Sequence, residues 1–202
     1  MQMKDKGLNI LFRAYYSEYQ SEWLKVMYQL DIHIIEEIYE SIKKSTENNQ
    51  QIFVLGNGGS AASASHWACD FGKGINVDGV KRLRIFSLAD QIPLITAYGN
   101  DMSYADIFVE QLKNILNRGD IVIGLSVSGD SENVIRAFQY AKDTGAQVIS
   151  LVGEKEGRMK NLSDISLVIP SSDYGIVEDV HMYVNHVISQ YMRKENERLK
   201  HE

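Results

Sequence analysis

Apolar residues change their spacing near residue 50. Between 8 and 47 they recur in steps of three and four, as at Leu24, Met27, Leu30, Ile34, Ile35, Ile38 and Ile42. That period puts them on one face of a helix, and Asp31–Ile32 marks a break between two helices. Beyond residue 50, short continuous apolar runs take over, at 52–55, 83–88, 121–125, 148–152 and 165–169. Helical patterns lie between and after them, at 59–71, 91–98, 104–117, 130–144 and 176–196. Runs without polar alternation fit strands covered on both faces. Alternating strands and helices imply βαβ units with right-handed crossovers. The expected fold is α/β: a three-layer αβα sandwich around a parallel sheet of about five strands. It forms a single domain over 1–202, with a helical pair at 1–50. The only prolines, Pro93 and Pro170, provide no Pro-rich hinge to a second domain.

The helical pair is rich in aromatic residues: Tyr15, Tyr16, Tyr19, Trp23 and Tyr28. Two readings stand for it. It packs on the chain's own sheet, or it forms an oligomer interface, where aromatic residues are enriched.

Charge narrows the partners. The chain has 21 Lys and Arg against 27 Asp and Glu, a formal net charge of -6. Nucleic-acid binding draws on a basic face, and none is present. An anionic ligand must therefore find a local pocket of donors. The single cysteine, Cys69, cannot build a disulfide framework and fits a reducing compartment. It reads as a small buried residue. The first residues, MQMKDKGLNI, have no signal-peptide character. No run approaches the roughly 20 apolar residues of a membrane span. These features predict a cytoplasmic protein without membrane or nucleic-acid partners.

Two strand-to-helix turns carry candidate chemistry. The first apolar run ends at Leu55 and enters Gly56-Asn57-Gly58-Gly59-Ser60, with helix formers following at once. Glycines let backbone approach a ligand, and a helix N-terminus offers free N–H groups to an oxyanion. The turn lacks the Gly-Lys-Ser/Thr ending of a Walker loop. It also lacks the third glycine of the dinucleotide fingerprint, which would fall at Ala61. The run 121–125 leads into Ser126-Val127-Ser128-Gly129-Asp130-Ser131. Asp130 or Ser131 serves as an ordinary N-cap, but three hydroxyls around one turn also suit a phosphate cradle without Lys or Arg. Both turns fall at the carboxyl edge of the sheet, where open α/β folds bind ligands.

In order, "FVLGNGGSAASASH", "YGND", "GLSVSGDSENV" and "EDVHMYVNH" resemble the sugar isomerase (SIS) domain, and within it the phosphoheptose isomerases. The resemblance implies isomerisation of sedoheptulose 7-phosphate to D-glycero-D-manno-heptose 7-phosphate, a small-molecule sugar phosphate, in bacterial surface-glycan synthesis. It also implies a homotetramer with active sites between subunits, and one Zn²⁺ per subunit. Carried onto this chain, Asn57, Gly58, Gly59, Ser60, Ser126, Ser128 and Ser131 line the phosphate and substrate site, with Asp101 and Glu178 contacting the substrate. His66, Asp70, Glu178 and His186 take the metal, and Asp70 and His186 also act as the catalytic acid/base pair. The chain departs from the family pattern. Cys69 and Asp70 replace two glutamates, Glu178 replaces a glutamine, and Gly74, beside Lys73, stands where a basic residue is expected. The alternative is a non-catalytic SIS protein that binds a sugar phosphate or a partner such as the DnaA initiator.

Spacing supports part of this set. His66 and Asp70, four apart on a helix, share a face, and imidazole with carboxylate is a zinc donor set. Glu178 and His186 are eight apart, which on a regular helix is about 12 Å of rise. One ion reaches both only if the helix is frayed at Glu178 or a second copy donates one of them.

Overall fold

A computed structural model describes residues 2–200, with side chains from residue 10 onward. The chain divides into two compact units, one ending at Leu30 and the other beginning at Asp31. The first is a single helix, α1 (Gln2–Gln29). It exposes Ile10, Leu11, Phe12, Tyr15 and Tyr16.

The second unit opens with α2 (Ile32–Glu47), capped by the Asp31 side chain, which accepts from the His33 amide. The break expected at Asp31–Ile32 is this cap. Five strands follow: β1 (Gln51–Gly56), β2 (Arg84–Ser87), β3 (Ile121–Ser126), β4 (Gln147–Gly153) and β5 (Ile165–Ile169). They form one parallel sheet in the order β2-β1-β3-β4-β5. Every residue of β3 is buried, as are all but the first of β1 and β4, whereas β2 at the edge alternates. Continuous apolar runs thus became inner strands because helices cover both faces.

Between the strands lie α3 (Gly59–Cys69), α4 (Ile92–Asp101), α5 (Val109–Ile115), α6 (Glu132–Thr144) and α7 (Gly157–Leu162), and α8 (Tyr174–Leu199) closes the chain. One core cluster gathers Phe53, Leu55, Phe108, Leu112, Val122, Phe138 and Val152 from the sheet, α5 and α6 and the turn before α5. The expected three-layer sandwich is the observed one. Two details differ. The stretch 104–117 divides into a 3₁₀ turn at Tyr104–Asp106 and the shorter α5, with the buried Ile107 and Phe108 between them. The crossover helix α7 was not expected; it is short and polar, and only Met159 is buried.

Strand order positions the site. The chain leaves β1 toward β2 on one side, and β3 lies on the other. The loops after β1 and β3 therefore diverge from neighbouring strands, opening a crevice at the switch point. Among the described residues, no helix is long and apolar enough to cross a membrane.

Candidate active site

The two turns form one cavity of about 440 Å³, lined by Asn57, Gly58, Gly59, Ser60, Ser126, Ser128, Ser131, Tyr174 and Glu178 among others. Seven positions expected to line the phosphate and substrate site thus meet in one hollow. A reciprocal amide pair ties the turns together. Asn57 Nδ2 donates to Asn133 Oδ1 at 2.9 Å, and Asn133 Nδ2 donates to Asn57 Oδ1 at 2.8 Å. Tyr104 also donates to Asn57 Oδ1, at 3.0 Å. Asn133 had no expected role, although it lies within the quoted serine-rich motif.

Internal bonds hold the second turn in shape. The Gly129 amide donates to Ser126 Oγ at 3.1 Å, and the Asp130 amide donates to Ser128 Oγ at 3.3 Å. Ser131 occupies the N-cap of α6, yet its side chain makes no capping bond. Its hydroxyl is not spent on the helix, which suits a ligand contact. Gly129 has φ +66, and a Cβ there would overlap the Glu156 carbonyl. From outside, Arg158 bonds Asp130 and Glu132, and its guanidinium holds both carboxyls below their usual range. No Lys or Arg lines the cavity among the described residues.

Helices α3 and α8 lie side by side and carry the rest. At one end, Ser60 Oγ donates to Glu178 Oε1 at 3.5 Å. The Glu178 carboxylate lies directly over Gly59, so a larger residue there would have to displace that side chain. Midway, Trp67 Nε1 donates to the His181 carbonyl at 3.0 Å. At the far end, Asp70 Oδ2 lies 3.3 Å from His66 Nε2 and 3.6 Å from His186 Nε2. The two imidazoles meet edge to face, with centroids 5.4 Å apart. Asn185 Nδ2 donates to Asp70 Oδ2 at 2.6 Å. Asp70 opens a π-helical turn, Asp70–Gly74, that continues α3; such widened turns recur at functional sites.

Within one chain the structure brings some of the expected residues together and leaves others apart. Helix α8 is regular from Tyr174, so Glu178 is not frayed toward His186. Within one chain the metal-competent group is His66, Asp70 and His186, whose donor atoms lie within 4.8 Å of one another, and Glu178 stands at the cradle instead. Asp101, the last residue of α4, accepts from Asn100 Nδ2 and lies outside the cavity lining. Cys69 is exposed, not buried, because the inward face of α3 runs through Ser60, Ser63, Ala64 and Trp67.

The buried histidine of α8 is His181. Its Nε2 bonds the Leu151 carbonyl at 3.2 Å, and Nδ1 has no partner. Burial pushes its pKa down to about 4. An unfolded histidine titrates near 6.5, so between these values the unfolded state binds more protons. Stability is therefore complete above about pH 6.5 and falls as pH drops through that window. We expect wild-type protein to lose about 2–3 kcal/mol between pH 7.5 and 4.5, and His181→Gln to lose clearly less. Urea midpoints at the two pH values check this; equal acid sensitivity of the two proteins would refute it.

An open parallel sheet with a hydroxyl-lined cradle at its switch point is the architecture of a SIS domain, and the SIS domain profile matches residues 14–153. A phosphoheptose isomerase of Helicobacter pylori strain P12 is 35% identical over 161 residues, covering 76% of this chain and 83% of its own length. One from Clostridium acetobutylicum is 35% identical over 164 residues, covering 81% and 83%. The solved structure of a phosphoheptose isomerase from Francisella tularensis aligns with a TM-score of 0.79 at 26% identity, over 93% of this chain and 98% of that one. The chain belongs to the phosphoheptose isomerase family of sugar-phosphate isomerases.

Proposed function

We propose that this protein interconverts sedoheptulose 7-phosphate and D-glycero-D-manno-heptose 7-phosphate in bacterial surface-glycan synthesis, in the cytoplasm. One observation carries the reading. The cradle and the His66–Asp70–His186 cluster stand at opposite ends of α3, beside the first half of α8. Glu178 and His186, which α8 places beside these two ends, are separated by about 12 Å of helix rise. An extended seven-carbon sugar with a terminal phosphate is an elongated ligand of comparable reach.

The serine hydroxyls and the free N–H groups at the start of α3 hold the phosphate, with the helix dipole favouring its charge. Asp70, partly exposed to water, takes a proton from the carbon beside the carbonyl and, after exchange with solvent, gives one to the neighbouring carbon. His186 moves the matching proton between the two oxygens. The substrate passes through an enediolate.

Two imidazole nitrogens and one carboxylate oxygen within 4.8 Å are a fitting donor set for zinc with an open position. His66, Asp70 and His186 would hold it, and the chemistry zinc supplies at such a site is polarisation of the sugar carbonyl.

Assembly completes the reading. His66 and His186 are half exposed in the single chain. Exposed apolar residues on α1 and at Tyr183, Val187 and Tyr191 of α8 offer contact surfaces for further copies. We assign a homotetramer with sites between subunits, through which Asp101 would reach the sugar.

The test is turnover of sedoheptulose 7-phosphate by purified protein of measured zinc content. The expected result is steady aldose formation, lost with a chelator and restored by zinc. Binding of the sugar phosphate without turnover by the zinc-loaded protein would contradict the reading and favour a non-catalytic SIS protein.

A further inference from the structure

Asn185 has an unusual position for its chemistry. It is fully buried, on the face of α8 that also buries His181, Val184 and Ile188. Helix faces of this kind are normally apolar. Only one end of its amide is bonded. Nδ2 donates to Asp70 Oδ2 at 2.6 Å, while Oδ1 has no partner. A buried unpaired carbonyl weakens the fold, so local stability does not account for an asparagine here. An aliphatic residue of similar size would fill the space without that loss.

The bond supplies the account. Asp70 Oδ2 is the oxygen that faces both imidazoles, His66 Nε2 at 3.3 Å and His186 Nε2 at 3.6 Å. A carboxylate on a partly exposed aspartate can rotate about its last bond, exchanging one oxygen for the other or turning toward solvent. An amide fixed in the core by α8 removes that freedom, because a short hydrogen bond to one oxygen sets the plane of the carboxylate. The restraint comes from the residue next to His186, so one turn of α8 sets both members of the acid/base pair. It also suits an aspartate, whose short side chain leaves little latitude to correct its own aim.

The geometry points to Asn185 as a positioning residue: it orients the Asp70 carboxylate toward His66 and His186, at a cost to the stability of the fold. This rests on the reading of Asp70 as the acid/base carboxylate.

The experiment compares Asn185→Leu, Asn185→Ala and Asp70→Asn with wild type, reading kcat and KM for sedoheptulose 7-phosphate, thermal midpoint, and zinc affinity by chelator competition. For Asn185→Leu we expect kcat to fall about 10- to 100-fold, the range for residues that orient a metal ligand or catalytic group. KM should change by less than about threefold, since the phosphate cradle is untouched. The thermal midpoint should hold or rise, and zinc affinity should fall. Asn185→Ala, which fits without crowding, should show the same loss of kcat. Wild-type kcat in both Asn185 variants, with Asp70→Asn inactive, overturns the positioning role alone. Parallel loss of thermal midpoint and of folded protein in both, with kcat per folded molecule unchanged, also overturns it. A fully active Asp70→Asn overturns the underlying reading instead.

Discussion

Replacing Asp70 by asparagine is expected to lower kcat for sedoheptulose 7-phosphate by about a thousandfold, within the range for loss of a positioned general base. The substitution keeps the side-chain shape and one oxygen, so the hydrogen bond from Asn185 has an acceptor to keep. What is removed is the ability to take a proton, together with the carboxylate charge that would help hold zinc. His186→Ala should cost about a hundredfold or more on the same scale, because its Nε2 stands across the same oxygen at 3.6 Å. Since both residues lie away from the cradle lining, KM should move far less than kcat. Steady-state kinetics on variants with unchanged thermal midpoints check this, and wild-type kcat in either variant removes that residue from the mechanism.

Gly129→Ala should be the most damaging single methyl in the cradle. Gly129 sits at φ +66, a region that strains any L-residue. Its added Cβ would meet the Glu156 carbonyl backbone, which cannot swing aside as a side chain can. The Met159 amide donates to the Gly129 carbonyl at 2.9 Å, so a shift of the turn would also disturb α7. Strain and overlap together should cost about 3 kcal/mol or more of stability. Ser126 and Ser128, whose hydroxyls accept from the amides of this turn, would lose their aim. A KM for the sugar phosphate raised about tenfold or more should follow. Denaturant unfolding and initial rates test the two effects separately. A variant as stable as wild type with unchanged KM would mean that the turn is not held as described.

Much of this arrangement was legible in the chain, for identifiable reasons. Fully buried strands leave continuous apolar runs, so β1, β3 and β4 declared themselves. Glycine and serine turns at the carboxyl ends of β1 and β3 pointed to a cradle because strand polarity fixes where such turns lie. His66 and Asp70 share a helix face by spacing alone. The short polar α7 carried no period to read, since a single buried residue, Met159, anchors it.

Cys69 was misread because exposure depends on how α3 and α8 pair. That register is set by contacts such as Trp67 to the His181 carbonyl, more than a hundred residues away in sequence. Asn185 stayed hidden for the same reason. An asparagine among apolar helix positions signals something, but its partner Asp70 is known only once the two helices are side by side.

The most direct measurement is solvent exchange at the reacting carbons. Zinc-loaded protein is incubated with sedoheptulose 7-phosphate in deuterium oxide, and recovered ketose and aldose are examined by proton NMR. The account predicts deuterium at C2 of the aldose and at C1 of the recovered ketose, both abolished by Asp70→Asn. Aldose formed with no solvent deuterium at C2, or no product and no exchange from folded, zinc-loaded protein, would contradict it.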